Sequence, residues 1–310
     1  FLKTRISYAY DIRIFFQFLL DENPAFKDYK MTDFTVDVLD QIKALDLEEY
    51  QEYLKVYQAG DKTETNGERG LKRKISALRS FYAYYYRREM IETNPTVLID
   101  VPKIHDKSII RLDTDEVALL LDYIEHCGDQ LTGQKRVYYE KNKERDLAIV
   151  TLLLGTGIRV SECVGLDIED VDFKNNGIKV TRKGGNEMVV YFGPEVEKAL
   201  KRYLEVRENI IPLEGHEHAL FYSAQRRRIG VQAIENLVKK YAQQITTTKK
   251  ITPHKLRSTY GTALYQETGD IYLVADVLGH KDVNTTKKHY AAIDDARRRQ
   301  AAKAVKLRED

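Results

Sequence analysis

The chain has 310 residues and a mass of 36.0 kDa, which is enough for two domains that each bury a core of their own. Hydrophobic residues make up 43% of the sequence and charged residues 32%, and no apolar run approaches the roughly 18 residues that a membrane span needs. A formal net charge of +2 does not by itself identify a nucleic-acid-binding protein. Cys127 and Cys163 are too few for a disulfide framework and indicate free thiols in a reducing compartment. Because the first residue is Phe1 rather than Met, we expect that a further segment precedes it.

The first hundred residues show the apolar spacing of helices. Apolar side chains that recur at helical intervals predict four helices, at 4–20, 35–42, 47–58 and 68–90. The segment 99–111 has mixed charge and no sustained helical pattern, which is typical of a linker. We therefore predict a small helical bundle over residues 1–98.

Basic residues occur in runs, whereas acidic residues crowd the segment 32–52. The basic runs lie at 72–74, 87–88, 226–228, 249–250 and 297–299. Such clusters are more often solvated surface than binding sites, although a basic helix can lie along a DNA groove. The residues that we assign to DNA contact are Lys72, Arg73, Arg79, Arg226 and Arg227.

From residue 112 onwards, short strands join the helices. Alternating apolar residues between 170 and 192 predict strands, with 183–186 as the turn of a hairpin. Residues 127–143 are polar and contain glycine, so we expect a loop there. Helices are predicted at 114–125, 146–154, 194–207, 231–242, 253–268 and 271–278. The fold class is therefore mainly α with a small antiparallel β-sheet.

The stretch 252–290 brings several chemically active side chains to the ends of helices. His254 and Arg257 lie three residues apart, on one face of the first turn of a helix. His280 follows the end of the next helix, and Tyr290 comes ten residues later. Phosphate binds readily at such helix ends. Imidazole, guanidinium and phenol groups in these positions predict phosphodiester chemistry without a metal.

Two other basic residues stand out from their surroundings. Arg159 follows the most apolar predicted helix after a glycine-containing break, and Glu162 can hold its guanidinium group in place. Lys183 lies in the hairpin turn, where a lysine is by default only a solvated charge. An alternative interpretation of His254, His280 and His289 is that they are zinc ligands. No Cys or carboxylate pair has the spacing of a zinc finger or a zincin, so we expect no metal.

Five segments carry a resemblance to a known family. They are TGIRVSE at 156–162, RKGGNE at 182–187, PHKLR at 253–257, LGH at 278–280 and the tyrosine at 290. On these motifs the sequence resembles the tyrosine recombinases, the phage-integrase-like site-specific recombinases, over roughly residues 110–295. The resemblance implies a catalytic domain at 112–295 and a DNA-binding core-binding domain at 1–98. It also implies a C-terminal tail, 296–310, that docks on a neighbouring protomer.

The resemblance further implies which residues make and break bonds. Tyr290 matches the nucleophile, which forms a 3′-phosphotyrosyl link to DNA and releases a 5′-hydroxyl. Lys183 matches the hairpin lysine, the general acid for the departing 5′-oxygen. His254 matches the acid–base histidine near the nucleophile.

The remaining matches concern the phosphate group. Arg159 and Arg257 match the paired arginines that hold its non-bridging oxygens, and His280 matches the second histidine, which donates to the phosphate. One phosphodiester is exchanged for another, so the resemblance implies no cofactor, no ATP and no metal.

Several functions remain open within and beyond this resemblance. The ten-residue gap between His280 and Tyr290 favours an integrase of a conjugative transposon, which integrates and excises a mobile element. A Xer-type resolvase of chromosome dimers is an alternative, and a type IB topoisomerase shares the same chemistry. A DNA-binding protein without catalysis, such as a regulator, is a third class.

The resemblance also implies partners. We expect double-stranded DNA with inverted-repeat core sites, and a homotetramer in the synaptic complex that forms by exchange of the C-terminal tail. An accessory DNA-bending or directionality protein is a further expected partner, and no membrane is expected. The expected location is the bacterial cytoplasm, in association with the nucleoid.

Overall fold

The computed structural model describes residues 2–105, 109–182, 184–280, 282–284 and 286. The chain divides into two compact units, Phe1–Lys107 and Ser108–Asp310. The division falls within the segment 99–111, which we predicted as a linker. In the ranges that the structure describes, no helix is both long enough and apolar enough to cross a membrane.

The first unit is built from helices that enclose an aromatic core. Its elements are α1 (Leu2–Glu22), α2 (Ala44–Tyr53), β1 (Val56–Ala59), β2 (Lys62–Thr65) and α3 (Glu68–Tyr86), with short 3₁₀ turns between α1 and α2 and after α3. Phe15 and Tyr50 are fully buried, and their rings pack edge to face with centroids 5.0 Å apart. Ile75 and Tyr82 of α3 are buried in the same core, because the apolar face of this helix has helical spacing.

A β-hairpin replaces the second half of one predicted helix. We predicted a helix at 47–58, but α2 ends at Tyr53 and the chain continues as β1 and β2. Ala59 pairs with Lys62, so the hairpin has a two-residue turn, and Gly60 in that turn has a φ of 63°. Glycine at the first position of such a turn favours a hairpin over a continued helix. The prediction of a helix to residue 58 was therefore wrong, because a glycine after a helical pattern can form the turn of a hairpin as well as end a helix.

The second unit contains seven helices and one sheet in the part of the chain that the structure describes. Its elements are α4 (Thr114–His126), α5 (Gly133–Thr156), α6 (Val160–Gly165), β3 (Val171–Asp172), β4 (Gly177–Thr181), β5 (Glu187–Tyr191), α7 (Pro194–Arg207), α8 (Val231–Ile245), α9 (Pro253–Thr268) and α10 (Ile271–Leu278). The strands pair antiparallel in the order β3-β4-β5, with Ile178 opposite Val190. The predicted fold class, mainly α with a small antiparallel sheet, is confirmed.

Helix α5 lies at the centre of the second unit. Residues 148–153 are all at most 4% exposed, although six consecutive residues point to every side of a helix. A helix that is buried on all sides must be surrounded by other elements, and α4, α7 and α9 pack around it. The C-terminal end of α5 is thereby fixed in position, and the candidate site begins there.

The start of α5 shows where apolar patterning fails. We expected a loop at 127–143, but α5 begins at Gly133 and the preceding residues form a 3₁₀ turn. The residues that face the core in this part are Tyr139, Asn142 and Asp146, which have helical spacing and are at most 4% exposed. All three are polar. The Tyr139 hydroxyl donates to the carbonyl of Ile124 over 2.9 Å. The helix buries hydrogen-bonded polar groups, which a search for apolar periodicity does not detect.

Candidate active site

Arg257 is held inside the protein at the start of α9. Pro253 occupies the first turn of this helix, where its fixed φ and missing N–H are tolerated. One turn later, Arg257 is only 5% exposed. Its Nη1 donates to the carbonyl of Gly157 over 2.6 Å, and its Nη2 donates to the carbonyl of Leu278. His254, in the same first turn, is exposed.

Arg159 is fixed by the turn that follows α5. Gly157 ends that helix with a φ of 62°, and a Cβ atom there would lie 2.4 Å from the Tyr260 ring. Both facts require glycine at this position. Glu162 accepts from the Arg159 backbone N–H over 2.8 Å and from its Nη1 over 2.7 Å. Glu162 therefore holds the guanidinium, as the sequence indicated, and 37% of the Arg159 side chain stays exposed.

The last backbone carbonyls at the end of α10 accept no hydrogen bond from within the helix. Gly279 has a φ of 60° and its N–H donates to the carbonyl of Asp276 over 2.7 Å, while the His280 N–H donates to Ala275 over 2.8 Å. This left-handed ending satisfies the carbonyls of the preceding turn. The carbonyls of residues 277–279 are left for donors from outside the helix.

Three arginine side chains supply those donors. The hydrogen bonds run from Arg182 Nη2 to Val277 O (2.7 Å), from Arg182 Nη1 and Arg257 Nη2 to Leu278 O, and from Arg159 Nη2 to Gly279 O (3.2 Å). Positive charge is favourable at this end of a helix because the backbone dipole is negative there. Burial lowers the pKa of the Arg182 guanidinium below its usual value, and the positive charge of Arg159 adds to this effect.

His280 directly follows these carbonyls and is oriented by a buried threonine. Its Nδ1 lies 2.7 Å from the Oγ1 of Thr286, which is fully buried. A partner on Nδ1 fixes the plane of the ring and directs Nε2 to the opposite side. The structure therefore brings Arg159, Arg257 and His280 together at the end of α10.

Two of the six predicted catalytic residues, Lys183 and Tyr290, lie outside the described residues. So do His289 and the tail at 296–310. The residues next to Lys183 close the β4–β5 hairpin, since the Arg182 N–H donates to the carbonyl of Asn186 over 2.7 Å.

Cys163 lies close to this site in the chain but is not suited to nucleophilic attack. It follows Glu162 in α6 and is 1% exposed. Burial raises the pKa of its thiol to about 12, so the thiol stays protonated at neutral pH. Its side chain is part of the hydrophobic core.

The residues assigned to DNA contact differ in how far they are already used within the protein. Lys72 is exposed on α3, whereas its neighbour Arg73 pairs with Asp11, which is 1% exposed and also accepts from Lys74 over 3.2 Å. Arg79 is partly buried, and its guanidinium donates to two backbone carbonyls of residues 96–99, over 3.1 and 2.8 Å.

In the second unit, Arg226 and Arg227 are both exposed in the loop before α8. Arg226 has a φ of 60°. A non-glycine residue in this conformation indicates a tight turn, and the Arg226 N–H accordingly donates to the carbonyl of Ser223 over 2.9 Å.

Sequence reasoning missed two residues of this arrangement, Arg182 and Thr286. Arg182 directly follows β4, next to Lys183, and a basic residue just after a strand has no distinctive sequence pattern. Thr286 lies in the polar segment between His280 and Tyr290, where no pattern distinguishes it from its neighbours. Neither residue's contact follows from spacing, because each reaches a partner that packing alone brings near.

Comparison with known proteins identifies the family. The model of the phage integrase family matches residues 111–297. The tyrosine recombinase XerC of Caldanaerobacter subterraneus subsp. tengcongensis is 33% identical over 96% of this chain and 80% of its own length. The tyrosine recombinase XerS of Lactococcus lactis subsp. cremoris is 33% identical over 95% of this chain and 88% of its own. The chain therefore belongs to the phage integrase family.

Within that family it is a site-specific tyrosine recombinase, an enzyme that cleaves and rejoins DNA strands. These relatives favour this class over the type IB topoisomerase and the non-catalytic regulator that the sequence left open. Solved structures agree on the fold. The integrase of the Tn1549 transposon, bound to transposon right end DNA, has a TM-score of 0.67 at 24% identity, over 98% of this chain and 94% of that one. The XerA recombinase has a TM-score of 0.54 at 24% identity, over 97% and 91%.

Proposed function

We propose that Arg159, Arg257 and His280 hold the scissile phosphate of double-stranded DNA. The observation that carries this proposal is the contact of both guanidinium groups with carbonyls of residues 278–279, directly before His280. A phosphoryl transition state spreads negative charge over its equatorial oxygens. Two guanidinium groups that are already fixed can stabilise this charge without reorganising during the reaction.

The bond changes follow from the remaining matches. The Tyr290 oxygen attacks the phosphorus while His254 accepts the phenolic proton, and the bond from phosphorus to the 5′-oxygen breaks. Lys183 gives a proton to that oxygen, which leaves as a hydroxyl. The product is a 3′-phosphotyrosyl ester, and attack by a 5′-hydroxyl of the partner strand reverses these steps. Because one phosphoester replaces another, the reaction needs neither a metal nor ATP.

The further partners belong to the same proposal. The first unit and the loop before α8 bind inverted-repeat core sites through Lys72, Arg73, Arg79, Arg226 and Arg227. Four protomers form the synaptic complex by exchange of the tail, and an accessory DNA-bending or directionality protein assists. The enzyme works in the bacterial cytoplasm, on nucleoid DNA.

For the biological role, we propose integration and excision of a mobile element. The ten-residue gap between His280 and Tyr290 and the likeness in fold to a transposon integrase support this role. Resolution of chromosome dimers is the second candidate, and the relatives named XerC and XerS favour it. Selection of binding sites from random DNA, followed by sequencing, separates the two. Sites at the ends of a mobile element support the first role, and one chromosomal site supports the second.

Covalent trapping tests the proposed chemistry. A nicked suicide substrate should accumulate a protein–DNA adduct in buffer with EDTA and without ATP, and peptide mapping should place the DNA on Tyr290. An adduct on another residue would contradict the assignment of the nucleophile. If no adduct forms although DNA is bound, the proposed reaction is wrong.

The role of Lys183 predicts a substrate-dependent defect. Lys183→Ala should slow cleavage of ordinary DNA by about 10²–10⁴-fold, the typical contribution of general acid catalysis. DNA with sulfur in place of the bridging 5′-oxygen should be cleaved at close to the wild-type rate, because a thiolate leaves without a proton. Single-turnover rates on both substrates measure this difference. Equal losses on the two substrates would make Lys183 a binding residue only.

The tail predicts a defect in assembly. Residues 294–310 carry a basic stripe beside small apolar residues at helical spacing, and an isolated helix of this length is marginal in water. Deletion after Asp295 should therefore leave binding to one half-site largely intact but weaken cooperative pairing on two half-sites. Gel shifts on one-site and two-site DNA measure both, with the adduct yield alongside. Normal pairing and recombination by the truncated protein would show that the tail does not dock.

A further inference from the structure

Arg182 contacts the same helix end as the two proposed phosphate-binding arginines, but it is bound differently. Both of its terminal nitrogens donate to backbone carbonyls, those of Val277 and Leu278. Its Nε is buried and has no hydrogen-bond partner among the described residues. Arg182 is thus bound to the carbonyl end of α10 through both terminal nitrogens, whereas Arg159 and Arg257 donate to it through Nη2.

Gly279 shows how closely Arg182 packs against this helix end. A Cβ atom at Gly279 would lie 1.9 Å from Nη1 and 2.5 Å from Cζ of Arg182. The guanidinium therefore occupies the space that any side chain at this position would need. Glycine at this position thus serves two purposes, the left-handed φ of 60° and the seat of the guanidinium.

One carbonyl joins Arg182 to Arg257. The Leu278 oxygen accepts from both side chains, and Gly279, the next residue, accepts from Arg159. The two proposed phosphate-binding side chains thus donate hydrogen bonds to the same segment, residues 277–279, that Arg182 holds in place. The same Arg182 closes the β4–β5 hairpin through its backbone, so it connects the sheet to the end of α10.

We infer that Arg182 is a positioning residue: it fixes the carbonyl end of α10 so that Arg159 and Arg257 converge on one phosphate. This inference rests on the proposed function of that pair. Without Arg182, the Val277 carbonyl loses its donor and the Leu278 carbonyl loses one of its two, so the helix end shifts and both arginines move with it. Misplacement of a reacting group by about 1 Å costs on the order of 10²-fold in rate.

The test uses a substrate whose cleavage depends less on charge stabilisation by Arg159 and Arg257. Replacement of one non-bridging oxygen of the scissile phosphate by a methyl group removes the negative charge that the guanidinium groups stabilise. Single-turnover cleavage at saturating DNA should be about 10–100-fold slower for Arg182→Ala than for wild type on ordinary DNA. On the methyl-substituted DNA, the cleavage rate of Arg182→Ala should lie within about threefold of the wild-type rate. A loss of folded protein would lower both rates equally.

Arg228→Ala is the matched control. Arg228 also ties down the end of a helix, donating to the carbonyls of Val164 and Leu166 over 3.0 and 2.8 Å at the end of α6. Any defect of this variant should be the same on both substrates. Arg182→Lys keeps the charge but cannot donate to two carbonyls in the same way, and it replaces Arg182→Ala if that variant does not fold.

Arg159→Ala separates failure of this inference from failure of the proposed function. If the methyl group relieves the defects of both Arg159→Ala and Arg182→Ala, the inference is supported. If it relieves only Arg159→Ala, Arg182 has a merely structural role and the inference is wrong, while the proposed function stands. If it relieves neither, the arginine pair does not stabilise phosphate charge, and the inference falls with the proposed function.

Discussion

Tyr290→Phe should abolish the covalent protein–DNA adduct and leave DNA binding nearly intact. The substitution removes one hydroxyl group, and loss of a catalytic nucleophile lowers the rate on the order of 10⁴–10⁶-fold. A nicked suicide substrate, resolved on a denaturing gel, measures the adduct, and a gel shift on the same DNA measures binding. Because the phenyl ring is kept, we expect no change in the melting temperature.

Tyr260→Phe is a matched control for this result. Tyr260 packs against Gly157 beside the site, and burial raises the pKa of its phenol, which makes it a poor nucleophile. This variant should form the adduct at the wild-type rate. If the adduct persists in Tyr290→Phe and disappears in Tyr260→Phe, the nucleophile is Tyr260 and our assignment of Tyr290 is wrong.

Arg257→Lys should impair both catalysis and stability. Lysine keeps the charge but lacks the fork that reaches Gly157 and Leu278 together. Loss of one fixed donor to the transition state typically costs about 10²–10³-fold in rate. Loss of one hydrogen bond from a buried charged donor costs about 1.5–3 kcal/mol of folding free energy. For a unit of this size, that lowers the melting temperature by about 3–12 °C.

A second buried arginine separates these two effects. Arg207 is 9% exposed and donates to the carbonyls of Glu217 and Ala219, each over 2.8 Å, and none of its hydrogen bonds among the described residues goes to α10. Arg207→Lys should lower the melting temperature by a similar amount and leave the single-turnover rate at saturating DNA within about twofold of wild type. If it slows cleavage as much as Arg257→Lys does, the catalytic loss reflects general instability and not a lost phosphate contact.

The parts of the fold that the sequence predicts well are those with strong local signals. The ends of α9 and α10 agree with the predicted 253–268 and 271–278, because Gly269 and Gly279 both adopt the left-handed conformation that ends a helix. Asp270 caps α10 by accepting from the Tyr272 N–H over 2.8 Å. Each of these signals acts within one turn of the chain.

The parts that were mispredicted depend on partners far away in sequence. The first turns of α5 bury Tyr139 and Asn142, and only the packing of α4 against α5 gives the Tyr139 hydroxyl its acceptors. No local pattern distinguishes such polar core residues from the polar residues of a loop. The exposed β1–β2 hairpin was missed for another reason, since it has no buried face that would produce an alternating pattern.

The candidate site likewise contains a local contact that the sequence predicts and long-range contacts that it does not. The motif around Arg159 predicts its contact with Glu162, because the two residues are three apart. The convergence of Arg159, Arg182 and Arg257 on α10 involves separations of 120, 96 and 21 residues, and spacing alone does not reveal it. Only the match to a family placed Arg159 and Arg257 together, and it said nothing of Arg182.

The buried carboxylate of Asp11 bears on how the DNA binding that we propose for the first unit should respond to salt. Each lysine or arginine that neutralises a DNA phosphate releases condensed counterions, and adds about 0.9 to the slope of log affinity against log salt concentration. Lys74 is only 5% exposed and bonded to Asp11, so its ammonium is not available to a phosphate, and Arg73 already shares the same carboxylate. Of the three adjacent cations at 72–74, Lys72 is left to displace counterions in full. If the first unit binds DNA as proposed, its affinity should therefore depend less steeply on salt concentration than the number of basic residues on α3 suggests.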